Sequence, residues 1–173
     1  MKQNMLKPVA VLRAARGGDM KNLLTGLFVV MMLTGGAAAQ PAGVRQKQFN
    51  LEEGLAIQGY DPVAYFTAGK GMEGKSDLVA TYQGVTYRFA SAHNRDMFKA
   101  APEKYEPQYG GWCAYAMGAK GEKVEVDPET FKIVDGKLYL FYNKLFRNTL
   151  DSWNKDEAHL KTTADQSWTK FAR

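Results

Sequence analysis

The sequence predicts an α+β fold, small antiparallel β-hairpins packed with helices, on three observations. Runs 78–82 and 85–89 are β-rich and flank the two-residue turn Gln83-Gly84. Runs 130–134 and 137–141 alternate around Asp135-Gly136, a pair suited to a tight hairpin turn because both of its positions take positive φ. Over 156–170 the periodicity is helical, with Leu160, Ala164, Trp168 and Phe171 on one stripe at intervals of three or four. Strands that meet through tight turns, with helices between and after them, belong to an α+β rather than an alternating parallel plan.

The chain has 173 residues and a formal net charge of +5. Residues 1–39 read as a secretory signal. Met20-Lys21-Asn22 opens a basic region, 23–33 is apolar, and Ala37 and Ala39 fit a small-residue cleavage site, so cleavage is expected after Ala39. Met20 is the expected initiator, with 1–19 an over-called start. The apolar run is shorter than the roughly 20 residues that span a bilayer. The segment carries Lys2, Lys7, Arg13, Arg16 and Lys21 against Asp19, four of the five net positive charges, so only +1 remains beyond it. That balance gives no warrant for nucleic acid, which needs a clustered basic face, and no nucleic-acid partner is expected. No stable membrane insertion is expected once the signal is gone. The expected location is the periplasm or the exterior.

Residues 40–54 are polar and mixed and read as a flexible arm; one domain then fills 55–171. Asp61-Pro62 marks a turn in which Asp61 bonds a backbone amide. Val63-Ala64-Tyr65-Phe66 reads as a short buried strand, and 67–77 as a loop. After the first hairpin, Ser91 caps a helix by accepting a first-turn amide. Ala101-Pro102 ends that helix, and Pro102 can open another turn. A loop at 119–123 precedes the second hairpin, after which Asn143 can cap a helix beginning near Lys144.

The stretch 109–118, Tyr-Gly-Gly-Trp-Cys-Ala-Tyr-Ala-Met-Gly, holds the only cysteine. Gly110-Gly111 suits a close backbone approach or positive φ. A helix over 112–117 would stack Cys113 and Met117 on one face, two soft sulfur donors of the kind that favour Cu(I). The alternative is a small apolar thiol packed beside Trp112 and Tyr115. A single cysteine in an exported chain implies a ligand, a reactive thiol, an intermolecular bridge or deep burial.

Residues 59–66 (Gly-Tyr-Asp-Pro-Val-Ala-Tyr-Phe), 82–89, 94–98 and 102–105 together resemble the YHS domain family. The closer resemblance is to its exported bacterial branch, in which Tyr-Gly-Gly-x-Cys-Ala-Tyr-Ala and Asp-Gly-Lys-Leu-Tyr-Leu-x-Tyr-Asn follow, here at 109–116 and 135–143. The resemblance covers 55–171 and implies a link to metals, chiefly copper. Relatives carry cysteines at positions that match Ala64, Ala90 and Asn94, so their metal site does not carry over.

His93, in the first turn of the helix after the hairpin, stands where relatives place ligands. With Cys113 and Met117 it makes the candidate metal site, imidazole and sulfur together suiting copper. His159 reads as solvated. Tyr60, Tyr65, Tyr109, Trp112, Tyr115, Tyr139 and Tyr142 could instead line an apolar pocket for haem or another tetrapyrrole. A Cys113–His93 nucleophile pair lacks a third orienting group. The expectation is a non-enzymatic protein binding a metal ion, copper first, at a Cys113-centred site. A haem or tetrapyrrole module, or a structural interaction module with an inert thiol, are the alternatives.

Overall fold

A computed structural model describes residues 42–172. The expected signal, its cleavage point and the Met20 start lie outside the described residues.

The chain opens with α1 (Ala42–Gln48), β1 (Leu51–Glu52) and β2 (Leu55–Ala56). Residues 42–54, read from sequence as a flexible arm, are therefore folded against the domain. Arg45 is buried; it donates to the Tyr82 carbonyl at 3.0 Å and to Glu106, and its guanidinium stands over the Phe49 ring. That anchor rests on partners 37 and 61 residues away, so local composition gives no sign of it.

A 3₁₀ turn at Ile57–Gly59 leads to Asp61 and then α2 (Ala64–Thr67). The short strand expected at 63–66 is thus a helical turn. Asp61 decides this: its Oδ1 accepts from the Val63 and Ala64 amides at 2.8 and 3.3 Å, satisfying the donors that a helix start leaves open.

Strands β3 (Lys75–Tyr82) and β4 (Val85–Phe89) pair antiparallel around Gln83-Gly84, both at positive φ. The four-stranded sheet runs β1-β2-β4-β3, with β2 parallel to β4. Helix α3 (Ala92–Ala100) starts on Ser91, whose hydroxyl accepts from the Asn94 amide at 3.1 Å, and α4 (Pro102–Tyr105) starts on its proline, both as expected. A second 3₁₀ turn, Gln108–Gly111, leads to α5 (Ala114–Lys120).

The second expected hairpin is β5 (Asp127–Val134) and β6 (Lys137–Phe141) around Asp135-Gly136, again both at positive φ. A third hairpin follows where a helix was expected: β7 (Asn143–Lys144) pairs with β8 (Arg147–Asn148) across Leu145-Phe146. The cap falls at Asn148 instead of Asn143, accepting from the Leu150 amide to begin α6 (Thr149–Trp153). Helix α7 (Glu157–Trp168) closes the chain, burying Leu160 and Ala164 on the expected stripe.

Strand β6 divides the core. Alternate side chains of a strand point to opposite faces. Leu138 and Leu140 join Val63, Tyr65, Val85, Tyr87, Phe89 and Phe98 beneath the sheet. Tyr139 and Phe141 join Tyr109, Met117, Trp153, Leu160 and Ala164 under α7. Burial on both faces explains why Leu-Tyr-Leu-Phe is apolar throughout. Both clusters are built from residues 49–171, so the unit Ala37–Arg173 contains its own core.

Candidate functional site

The Gly-Gly-Trp-Cys segment is held by unusual backbone. Tyr109, Gly110 and Gly111 all take positive φ, at 55°, 62° and 83°. Glycine also permits a close approach: a Cβ on Gly110 would lie 3.0 Å from the Trp168 ring and 3.2 Å from the Gln48 carbonyl. The Asn50 amide donates to the Gly110 carbonyl at 2.9 Å, and the Trp112 indole donates to the Gln48 carbonyl at 2.6 Å. This seats the segment between the end of α1 and the Trp168 ring at the end of α7. Lys123 covers the seam, 5.5, 5.9 and 5.0 Å from the rings of Trp112, Trp168 and Phe171. Burial there lowers its ammonium pKa below the ordinary lysine value.

Cys113 follows with φ −57° and ψ 115°, outside the helix, as the residue that caps α5. Its amide donates to the Val124 carbonyl at 2.9 Å, and its carbonyl accepts from the Met117 amide at 3.0 Å. The side chain is 0% exposed. The Tyr142 amide donates to Sγ at 3.4 Å, Sγ lies 3.4 Å from Thr149 Oγ1, and Thr149 Oγ1 donates to the Tyr142 carbonyl at 2.9 Å. The Thr149 hydroxyl proton is committed to that carbonyl, so the thiol is the donor in the Cys113–Thr149 contact. The result is a closed ring of hydrogen bonds from the Tyr142 amide through sulfur and hydroxyl back to the Tyr142 carbonyl.

Cys113 nevertheless lines a hollow of ≈120 Å³. Cys113, Ala116 and Thr149 form its buried side; Tyr115 and Tyr142 are half-buried walls; Lys120 and Arg147 are its exposed members. No ion pair or hydrogen bond engages either cation among the described residues.

The three expected metal donors are not brought together around this hollow. Met117 packs in the cluster beneath α7, with Tyr109, Tyr139 and Trp153. The face shared by i and i+4 exists only inside a helix, and Cys113 stands before α5 begins. His93 lies exposed on α3 and does not line the hollow. Among the described residues no cluster of three or more His, Cys, Asp or Glu side chains is placed to hold a metal. His159 is exposed on α7.

Nor do the aromatics form one pocket. Tyr65 lies in one core and Tyr109 and Tyr139 in the other, while only Tyr115 and Tyr142 reach the hollow. Burial raises the Tyr65 hydroxyl above the ordinary tyrosine value, and burial with the Asp165 hydrogen bond raises that of Tyr109. The hollow is far smaller than a tetrapyrrole macrocycle.

A single carboxylate holds the corner around Ala64, Ala90 and Asn94 together. Asp61 is fully buried, and its Oδ2 accepts from the Ala90 amide at 2.8 Å and from the Asn94 side-chain amide at 2.7 Å. With the two bonds to Oδ1, this carboxylate has four N–H donors and ties α2, the end of β4 and α3 together. The role read from sequence, a carboxylate holding a turn, is extended to three elements. Sequence reasoning missed Lys120, Arg147 and Thr149. They are ordinary residues at no motif spacing, and only folding sets them around one hollow.

Residues 63–109 match the family model of the YHS domain, which takes in the Asp61-linked helix α2, the first hairpin, α3, α4 and the start of the Gly-Gly turn. No curated protein and no solved structure matches the chain significantly. Over residues 63–109 the chain is therefore similar to the YHS domain.

Proposed function

We propose that the protein is a non-enzymatic binding module working outside the cytoplasm, and that its ligand site is the hollow beside Cys113. The observation that carries this reading is the composition of the hollow's wall. A small recess with an apolar and hydroxyl-bearing floor exposes two cations, Lys120 and Arg147, that no carboxylate neutralises among the described residues. Small-molecule sites combine an apolar lining with a few placed polar groups. The lining suits a small ligand with one anionic group, a carboxylate or oxyanion, and a few further heavy atoms. Thr149 and the two phenols supply neutral hydrogen-bonding groups, while Lys120 and Arg147 set the sign of the charge.

A second reading has one observation in its favour: Cys113 is one of the residues that line the recess. In that reading Cu(I) binds at Cys113, with the thiol proton released and the Thr149 hydroxyl turned away. Two cations beside the sulfur and the separate packing of Met117 and His93 count against it.

Titration of the chain from Gln40 onward with acetate, benzoate and phosphate, followed by amide NMR shifts, tests the first reading. Shifts should centre on Tyr115, Tyr142 and Thr149, and Lys120→Gln with Arg147→Gln should weaken binding by about tenfold or more, from the loss of charge-assisted hydrogen bonds. Shifts elsewhere, or none, overturn it. Cu(I) competition against a chromophoric chelator tests the second reading, which requires uptake that Cys113→Ser abolishes. Fractionation of expressing cells, with N-terminal sequencing, tests export and cleavage after Ala39.

A further inference from the structure

We propose that the tip of the β7–β8 hairpin is a membrane-contact element, in which Leu145 and Phe146 enter the interface of an anionic lipid bilayer while Lys144 and Arg147 meet its headgroups. Phe146 is 111% exposed and Leu145 88%; the next large apolar side chains among the described residues reach only 43% and 40%. Two adjacent apolar side chains so fully projected are not incidental surface.

The backbone beneath them points the same way. Leu145 and Phe146 have φ of 51° and 64°. A two-residue turn of this hand favours Asn-Gly or Asp-Gly, and bulky side chains there are outliers. The other two hairpins of the chain follow the rule, with Gln83-Gly84 and Asp135-Gly136 at their tips. At the third tip the chain keeps two large apolar residues against local preference, and neither contributes to the core. Strain of this kind gathers where a segment has a task besides folding.

Charge and size select the partner. Lys144 and Arg147 flank the tip and both are exposed. Lys144 comes within 4.0 Å of Glu125, itself exposed, and Arg147 pairs with no acid among the described residues. The surrounding residues Asn143 and Asn148 are polar, so the apolar surface is two side chains wide. A specific protein interface buries about 800 Å² on each partner, far more than such a tip offers. A bilayer interface requires only an apolar insertion with a basic collar and makes no demand for shape. No helix among the described residues is long and apolar enough to cross a membrane, so the contact is peripheral.

Vesicle co-flotation of the chain from Gln40 onward tests this, because that unit carries its own core and lacks the apolar N-terminal run. The chain should float with vesicles containing phosphatidylglycerol and less with pure phosphatidylcholine. Replacing the tip by Leu145→Asn with Phe146→Gly should lower partitioning about tenfold or more through lost apolar burial, with an unchanged or higher melting temperature because the turn now has its preferred residues. Lys144→Ser should lower partitioning about fivefold on anionic vesicles only, with Arg147 left in place because it lines the hollow. Failure of the parent chain to float with anionic vesicles overturns the proposal, as does undiminished flotation of the variant with Leu145→Asn and Phe146→Gly. Neither result touches the hollow's ligand, which the titration reads separately.

Discussion

Asp61→Asn isolates the contact that ties α2, the end of β4 and α3 together. The substitution keeps the side chain's shape but turns one oxygen into an NH₂ group. If Oδ1 is kept toward Val63 and Ala64, the new NH₂ faces the Ala90 amide at the former 2.8 Å and the Asn94 amide at 2.7 Å, donor against donor. Hydrogen bonds to a charged group contribute roughly 1.5–3 kcal/mol each. Losing both would therefore cost about 3–6 kcal/mol. Asn94 can turn its amide over and accept from the new group, which recovers one contact; the Ala90 amide has no such remedy. The expected loss is then about 2–4 kcal/mol, a large share of the roughly 5–15 kcal/mol that holds a domain folded. Asn94→Ala removes one donor, leaves the Ala90 bond and opposes no two donors, so it should cost about 1.5–3 kcal/mol, less than Asp61→Asn. Urea unfolding of the parent and both variants, followed by tryptophan fluorescence, gives the three stabilities. A loss under about 0.5 kcal/mol for Asp61→Asn, or a larger loss for Asn94→Ala, refutes the reasoning.

Three further outcomes are expected. A Cβ on Gly118 would lie 2.4 Å from the Leu160 carbonyl oxygen, so Gly118→Ala must push α7 away; after the usual helix gain it should destabilise by about 1–2 kcal/mol in urea, and a stabilised variant would disprove the close packing. Glu157 accepts from Lys132 and from the Trp153 indole, and the Lys132 hydrogen bond, with the indole bond, holds its carboxyl below the ordinary value of 4.5. A depressed carboxyl stabilises the fold above its unfolded pKa and loses that contribution as pH falls through the folded value. The melting-temperature gap between the parent and Lys132→Gln should thus narrow on acidification below about 4.5, and a gap independent of pH refutes the assignment. Cys113 should react with a disulfide reagent only as the domain opens, and Thr149→Val should speed the reaction by breaking the ring of hydrogen bonds; immediate labelling of the parent would show the thiol to be free.

Much of the fold was legible because its signals are local. Gln83-Gly84 and Asp135-Gly136 set two hairpins through the φ values that their residues tolerate. Ser91, Pro102 and the stripe from Leu160 to Phe171 placed helices by capping and spacing. The misreadings share one cause, a specific hydrogen-bond partner, near or far in the chain, overriding a preference read from composition. Val63 to Phe66 has strand-like composition, but Asp61 supplies first-turn acceptors and bends it into a helix. Asn143 looks like a cap, yet its side chain donates to Thr130 and its backbone pairs with Asn148. The 40–54 segment is polar, yet Arg45 finds Glu106 and Tyr82.

The candidate site divides in the same way. Sequence alone determined that one thiol exists and that two glycines, able to take positive φ or to allow a close backbone approach, precede it. Tertiary structure decided which way the thiol faces. By standing one residue before α5, Cys113 points toward Thr149 and Tyr142 rather than toward Met117. It also decided that Lys120 and Arg147, 27 positions apart, border one recess. Side-chain direction depends on the backbone of a single residue and on which elements pack beside it, and neither is written into spacing along the chain.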